Sequence, residues 1–133
     1  MTKLLQFTIK FLSALFDEYG FSIASSENSG NDFAGASMVI ASSEMEIFLA
    51  IERQEITAQF RSAFDKKKSN WYSAGTVLDL VGHKDCPGLL DDRTGSYIKD
   101  ALPVIVSLFK QAEIERTLER LDEIERERSK RMW

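Results

Sequence analysis

Cysteine occurs once in this chain, at Cys86, so an internal disulfide is impossible and packing must hold the fold; a reducing compartment is the simplest setting for such usage. Long apolar runs are also missing. Nothing approaches the ~20 residues that a bilayer-spanning helix requires. The first 16 residues interleave Lys3 and Lys10 with hydrophobes and lack a small-residue cleavage site, unlike a secretory signal. A cytoplasmic protein with no membrane partner is the expectation. Basic excess is absent too: the formal charge is -4, which argues against a general nucleic-acid binder and favours neutral or basic partners. Glycine-rich phosphate loops are lacking, since Gly75 and Gly82 stand alone. No second pair of cysteines or histidines gives zinc-finger spacing, so neither a metal nor a cofactor is expected.

What is present suits one α+β domain spanning residues 1–133. With 44% hydrophobic residues, a chain of this length buries roughly two thirds of its unfolded surface. Residues 44–64 organise it. Met45, Ile47, Leu49 and Ile51 alternate with Glu46, Phe48, Ala50 and Glu52, the period-2 pattern of a strand with one buried face. After a tight corner at Arg53 and Gln54 the alternation resumes, with Ile56, Ala58 and Phe60 inward and Glu55, Thr57, Gln59 and Arg61 outward. This predicts a β-hairpin with a core side and a charged side.

The remaining elements follow in order. Apolar residues at helical spacing over 3–19, among them Leu4, Leu5, Ile9, Phe11, Leu12 and Leu15, predict a first helix, with Thr2 as N-cap and Gly20 just past its end. Residues 21–25 and 33–41 read as two strands around a turn at 27–32, completing a four-stranded antiparallel meander. A cationic loop over 65–70 precedes Trp71, Tyr72 and a short helix near residues 73–81, which Gly82 closes. The stretch 83–95 reads as irregular, with Leu89 and Leu90 anchoring it to the core. A long C-terminal helix follows; Asp100 as N-cap would place Pro103 in a harmless first turn, and a kinked continuous helix is the other option. Beyond Ala112 the hydrophobes thin to Ile114, Leu118, Leu121 and Ile124 on a charged rod. That stripe could lie along the sheet edge or, with residues 113–133 projecting, pair with another chain.

Charge divides along the same boundary. Residues 1–95 carry 13 acidic against 9 basic side chains, whereas residues 96–133 carry 8 of each, so the negative field belongs to the α+β core. Helix pairs such as Asp122 with Arg126 and Glu127 with Arg131 sit at i, i+4, each contributing about 0.2–0.5 kcal/mol.

Chemistry-bearing clusters are few. His83, Lys84, Asp85 and Cys86 bring nucleophile, base and carboxylate types together, but within one loop, whereas a Cys–His pair is usually assembled from distant segments. Lys66, Lys67 and Lys68 beside Trp71 and Tyr72 have the composition of a basic-aromatic surface and equally that of a solubilising turn. Glu44, Glu46, Glu52 and Glu55 line the outward side of the hairpin around Phe48. An aromatic ringed by carboxylates is a candidate anchor for a basic protein partner, unless a helix covers that face too.

Several segments are similar to small immunity proteins of bacterial contact-dependent growth inhibition and related polymorphic toxin systems. They are residues 16–21, where Phe16, Tyr19, Gly20 and Phe21 run into a strand; Ile51 to Arg53 at a later strand end; and the C-terminal helix from Phe109 to Trp133. The resemblance implies an inhibitor that binds a cognate toxin domain, often a nuclease, inside the producing cell. Charge fits that role, because nuclease toxins tend to be basic and an acidic inhibitor can steer association and cover a cationic active site. A homodimeric scaffold built on the C-terminal stripe is the alternative. A small enzyme would rest on His83 and Cys86 alone.

Overall fold

The structure, a computed structural model, describes residues 1–28, 35–64, 70–84, 86 and 89–131, the Arg131 side chain excepted. The turn residues 29–34, the lysine run 66–68, Asp85 and Trp133 lie outside these. The architecture is α+β, as the periodicities predict.

Helix α1 (Thr2–Glu18) buries Leu4, Phe7, Phe11, Leu12 and Leu15, a three-and-four recurrence that turns one stripe toward the sheet. Met1, not Thr2, occupies its N-cap position. At the other end Gly20 adopts φ 71°, which lets the Phe21 N–H reach back to the Leu15 carbonyl at 3.0 Å. Only a residue tolerant of the left-handed region closes a helix this way.

The sheet runs β1 (Ser22–Asn28), β2 (Ala36–Ala41), β3 (Met45–Glu52), β4 (Glu55–Ser62), each antiparallel to the next. Two short strands extend the meander: β5 (Tyr72–Ser73) and β6 (Leu89–Leu90) both pair with the far side of β4. The β3–β4 corner has φ 53° at Arg53 and 70° at Gln54, the left-handed pair that matches a two-residue hairpin turn to strand twist. Leu90 is buried as expected, whereas Leu89 points outward.

Helices cover one face of this sheet. Met38, Ile40, Met45, Ile47, Leu49, Ile51 and Phe60 are almost fully buried on that side. Helix α3 (Asp92–Leu108) crosses α1 closely: a Cβ on Gly95 would stand 2.6 Å from the Phe11 ring. Its start corrects the sequence reading. Asp91 is the N-cap, accepting from the Thr94 N–H at 2.9 Å while the Thr94 hydroxyl accepts from the Asp91 N–H at 2.8 Å. That reciprocal box outcompetes Asp100, which sits mid-helix, and leaves exposed Pro103 inside α3.

The long C-terminal helix is two helices. After Leu108 the chain turns through residues 109–113, with the buried Phe109 ring at the corner and the Thr117 hydroxyl donating to the Leu108 carbonyl at 2.6 Å. Helix α4 (Ile114–Arg131) then returns along the short helix α2 (Ala74–Leu80), whose N-cap is Ser73. Ile114, Leu121 and Ile124 are buried, with Leu118 half-buried against the core. Two cross-links hold α4 there: the Tyr72 hydroxyl donates to Asp122 at 2.6 Å and the Thr76 hydroxyl donates to Glu125 at 2.9 Å. Helix α4 is therefore docked on this chain and does not project.

Burial, with help from the Asp122 acceptor, raises the Tyr72 phenol well above its usual value of 10.0. The folded state thus favours the protonated phenol; the resulting stabilisation is complete below about pH 10 and is lost as pH rises further. The urea midpoint of the wild type should fall more steeply above pH 10 than that of Tyr72→Phe, and parallel curves would contradict the assignment.

Candidate functional site

The second face of the sheet carries no helix among the described residues, and cross-strand register arranges it in rows. The first row is Ser22, Ala41, Glu46 and Arg61; the second is Ser25, Val39, Phe48 and Gln59; the third is Glu27, Ser37, Ala50 and Thr57. Beyond them Glu52 faces Glu55 directly across the hairpin end. Opposing like charges are unfavourable, and their exposure to water moderates the repulsion. Glu27, Glu52 and Glu55 form no ion pair with any described residue. One end of the face is therefore acidic.

The other end is a packed polar-aromatic cluster. Arg61 directs Nε and one terminal nitrogen at the same Glu46 oxygen, at 3.2 and 2.7 Å. Trp71 lies over the guanidinium at 4.3 Å and meets the Phe48 ring edge-on at 6.0 Å. A guanidinium held between a carboxylate and an indole is attracted to both, and the indole shields the ion pair from water. Phe48, Trp71 and Val39 are each half-buried. Their exposed portions form an apolar centre beside small residues, Ala41, Ala50 and Ser37.

This geometry redistributes the partner-binding residues expected from sequence. Phe48, Glu52 and Glu55 do share this face, and among the described residues no helix covers the half-buried Phe48. Glu46 is on that face but only 9% exposed, engaged by Arg61. Glu44 belongs to the opposite end of the hairpin, where its N–H takes the Ser42 hydroxyl as acceptor at 3.2 Å. The single acidic patch is thus divided. Three contributors were missed: Glu27, Arg61 and Trp71. A two-residue turn at Arg53 and Gln54 already places residue 61 across from residue 46, so the ion pair was readable. Trp71 follows once Tyr72 is paired with Phe60, because neighbours in a strand point to opposite faces.

Of the proposed dimer stripe, Ile114, Leu121 and Ile124 are buried within this chain and Leu118 is half-buried. His83 and Cys86 do line one small recess of about 360 Å³ with Arg93 and Tyr97. The imidazole stacks flat on Tyr97 at 4.2 Å, and Tyr97 accepts from the Arg93 Nε at 2.8 Å, which raises the guanidinium pKa. No hydrogen bond joins His83 to Cys86. A larger cleft of about 950 Å³ lies between α1 and the start of α3, floored by Phe7, Phe11, Ile56 and Leu90. Its rim is self-bridged: Lys3 donates to the Gln54 carbonyl at 2.6 Å, and Lys10 pairs with Asp92 at 3.3 Å.

Arg61 is the counter-charge of a largely buried carboxylate, so the two halves of the pair should respond differently to removal. Arg61→Ala should destabilise by about 2 kcal/mol, because it strands the Glu46 charge, while Glu46→Gln should lose clearly less. Denaturant midpoints read the difference; equal losses would contradict this account.

Comparison of the chain with protein-family models, with curated proteins and with solved structures finds no match, so the uncovered face itself has to carry the functional reading.

Proposed function

We propose that this protein works by binding another protein through the uncovered sheet face, and that the partner is a basic toxin domain which it neutralises in the cytoplasm of the producing cell. The observation that carries the reading is the combination, on one sheet face, of an apolar aromatic centre and an acidic end that forms no ion pair among the described residues. Phe48 and Trp71 supply large, rigid contact area; aromatic residues of this kind dominate binding energy at interfaces when ringed by residues that exclude water. Glu27, Glu52 and Glu55 supply a field that accelerates encounter with a cationic surface. Blocking by coverage needs no catalytic group on the inhibitor. The resemblance to immunity proteins points the same way.

The two halves of the face predict different kinetics. With the partner captured from native cells, Phe48→Ala or Trp71→Ala should raise the dissociation rate about tenfold or more. Glu52→Lys combined with Glu55→Lys should slow association several-fold at low salt, with the gap closing as salt rises and the thermal midpoint almost unchanged. The captured protein should be basic, and its toxicity should return when the aromatic variants replace the wild type. Wild-type kinetics from all these variants would overturn the reading.

A further inference from the structure

The terminal strand β1 differs from every other element: all seven of its side chains are exposed, on both faces of the sheet. Ile23 is 53% exposed although its cross-strand neighbour Ile40 is fully buried, so the helical layer ends at β2 and β1 overhangs it. Along residues 22–27 the side of the backbone turned away from β2 meets no other strand among the described residues. Edge strands are ordinarily blunted by lysine, proline or a covering segment. Here residues 22–27 contain neither lysine nor proline; among the described residues the devices present are the charge of Glu27 and a bulge between Ile23 and Ser25. Past the bulge the register is regular, with Ser25, Ser26 and Glu27 opposite Val39, Met38 and Ser37.

We propose that β1 is a template for strand addition, and that the occupant is an extended, basic segment of the partner protein; this rests on the partner-binding function proposed above. Row continuity gives the segment its chemistry. A strand laid beside β1 places its side chain next to Ser25 at the end of the row that leads through Val39 to Phe48, where an apolar residue extends the aromatic centre. Two positions along, on the same face, its side chain meets Glu27, the first residue of the acidic end, where lysine or arginine is complementary. Main-chain hydrogen bonds supply affinity and the alternating side chains supply specificity, the division of labour general to strand addition. A second copy of this chain would offer Glu27 and serines instead of a cation, so charge favours the basic partner over self-pairing.

A synthetic peptide tests the template directly: acetyl-Lys-Thr-Val-Thr-Lys-Thr-Val-amide, which presents lysine and valine on one face when extended. Titrated into the isotopically labelled full chain, it should shift the amides of residues 22–27 and slow the exchange of those that point outward. Methylating its backbone nitrogens, which preserves charge and side chains but removes the donors, should weaken binding roughly tenfold or more. Glu27→Lys should weaken the unmodified peptide as well. Equal binding of the methylated peptide would show charge attraction only and overturn the proposal, as would shifts confined to other elements or no shift at millimolar peptide. Such a result would leave the docking of a whole partner on Phe48 and Trp71 to stand or fall on its own kinetics.

Discussion

Antiparallel pairing of β3 with β4 runs without interruption from Met45 opposite Ser62 to Glu52 opposite Glu55, and side chains of adjacent residues leave such a ladder on opposite faces. Every other part of the molecule depends on that register. With it, Met45, Ile47, Leu49, Ile51, Ile56 and Phe60 all face the helices, and Glu46, Phe48, Glu52, Glu55 and Arg61 all face away. A slip of β3 by one residue along β4 would turn Glu46 and Glu52 toward the helices and Met45, Ile47, Leu49 and Ile51 away from them. The two left-handed residues at the corner fix the register locally, and the hydrophobic set fixes it globally.

The same constraint explains why the second face is neither core nor ordinary solvent-exposed surface. Its ion pair is shielded by an indole, its centre is aromatic and small-residue in character, and its acidic end forms no ion pair among the described residues. Stability and binding therefore draw on different side chains of one surface. Arg61 and Glu46 are tied to each other within the fold, whereas under the proposed function Glu27, Glu52 and Glu55 would meet the partner and Phe48 and Trp71 would serve both. The helices of the described residues, by contrast, have their apolar stripes largely occupied by one another and by the sheet.

Much of this was legible in the sequence because it is written in periodicity: the hairpin, the first helix, the antiparallel meander and the short helix before Gly82. Two-residue strands such as β5 and β6 are too short to show a period, and they were missed. The break between α3 and α4 has no local signal either. Residues 110–113 are Lys, Gln, Ala and Glu, all compatible with a helix, and the turn is imposed by burial of Phe109 and the Thr117 bond to Leu108. Asp91 and Thr94 did carry a capping signal, masked by the more conspicuous need to accommodate Pro103. On the site, composition identified carboxylates around an aromatic, but only register separates Glu46, tied to Arg61, from Glu52, which is not.

Radical footprinting of the side chains, with and without the bound partner, interrogates the open face directly. The account predicts that Trp71 and Phe48 lose reactivity in the complex while Ile9 on α1 and Val104 on α3, exposed to 70% and 50%, keep theirs. Protection of Ile9 and Val104 with Trp71 and Phe48 unchanged would place the partner on the helical side and contradict it.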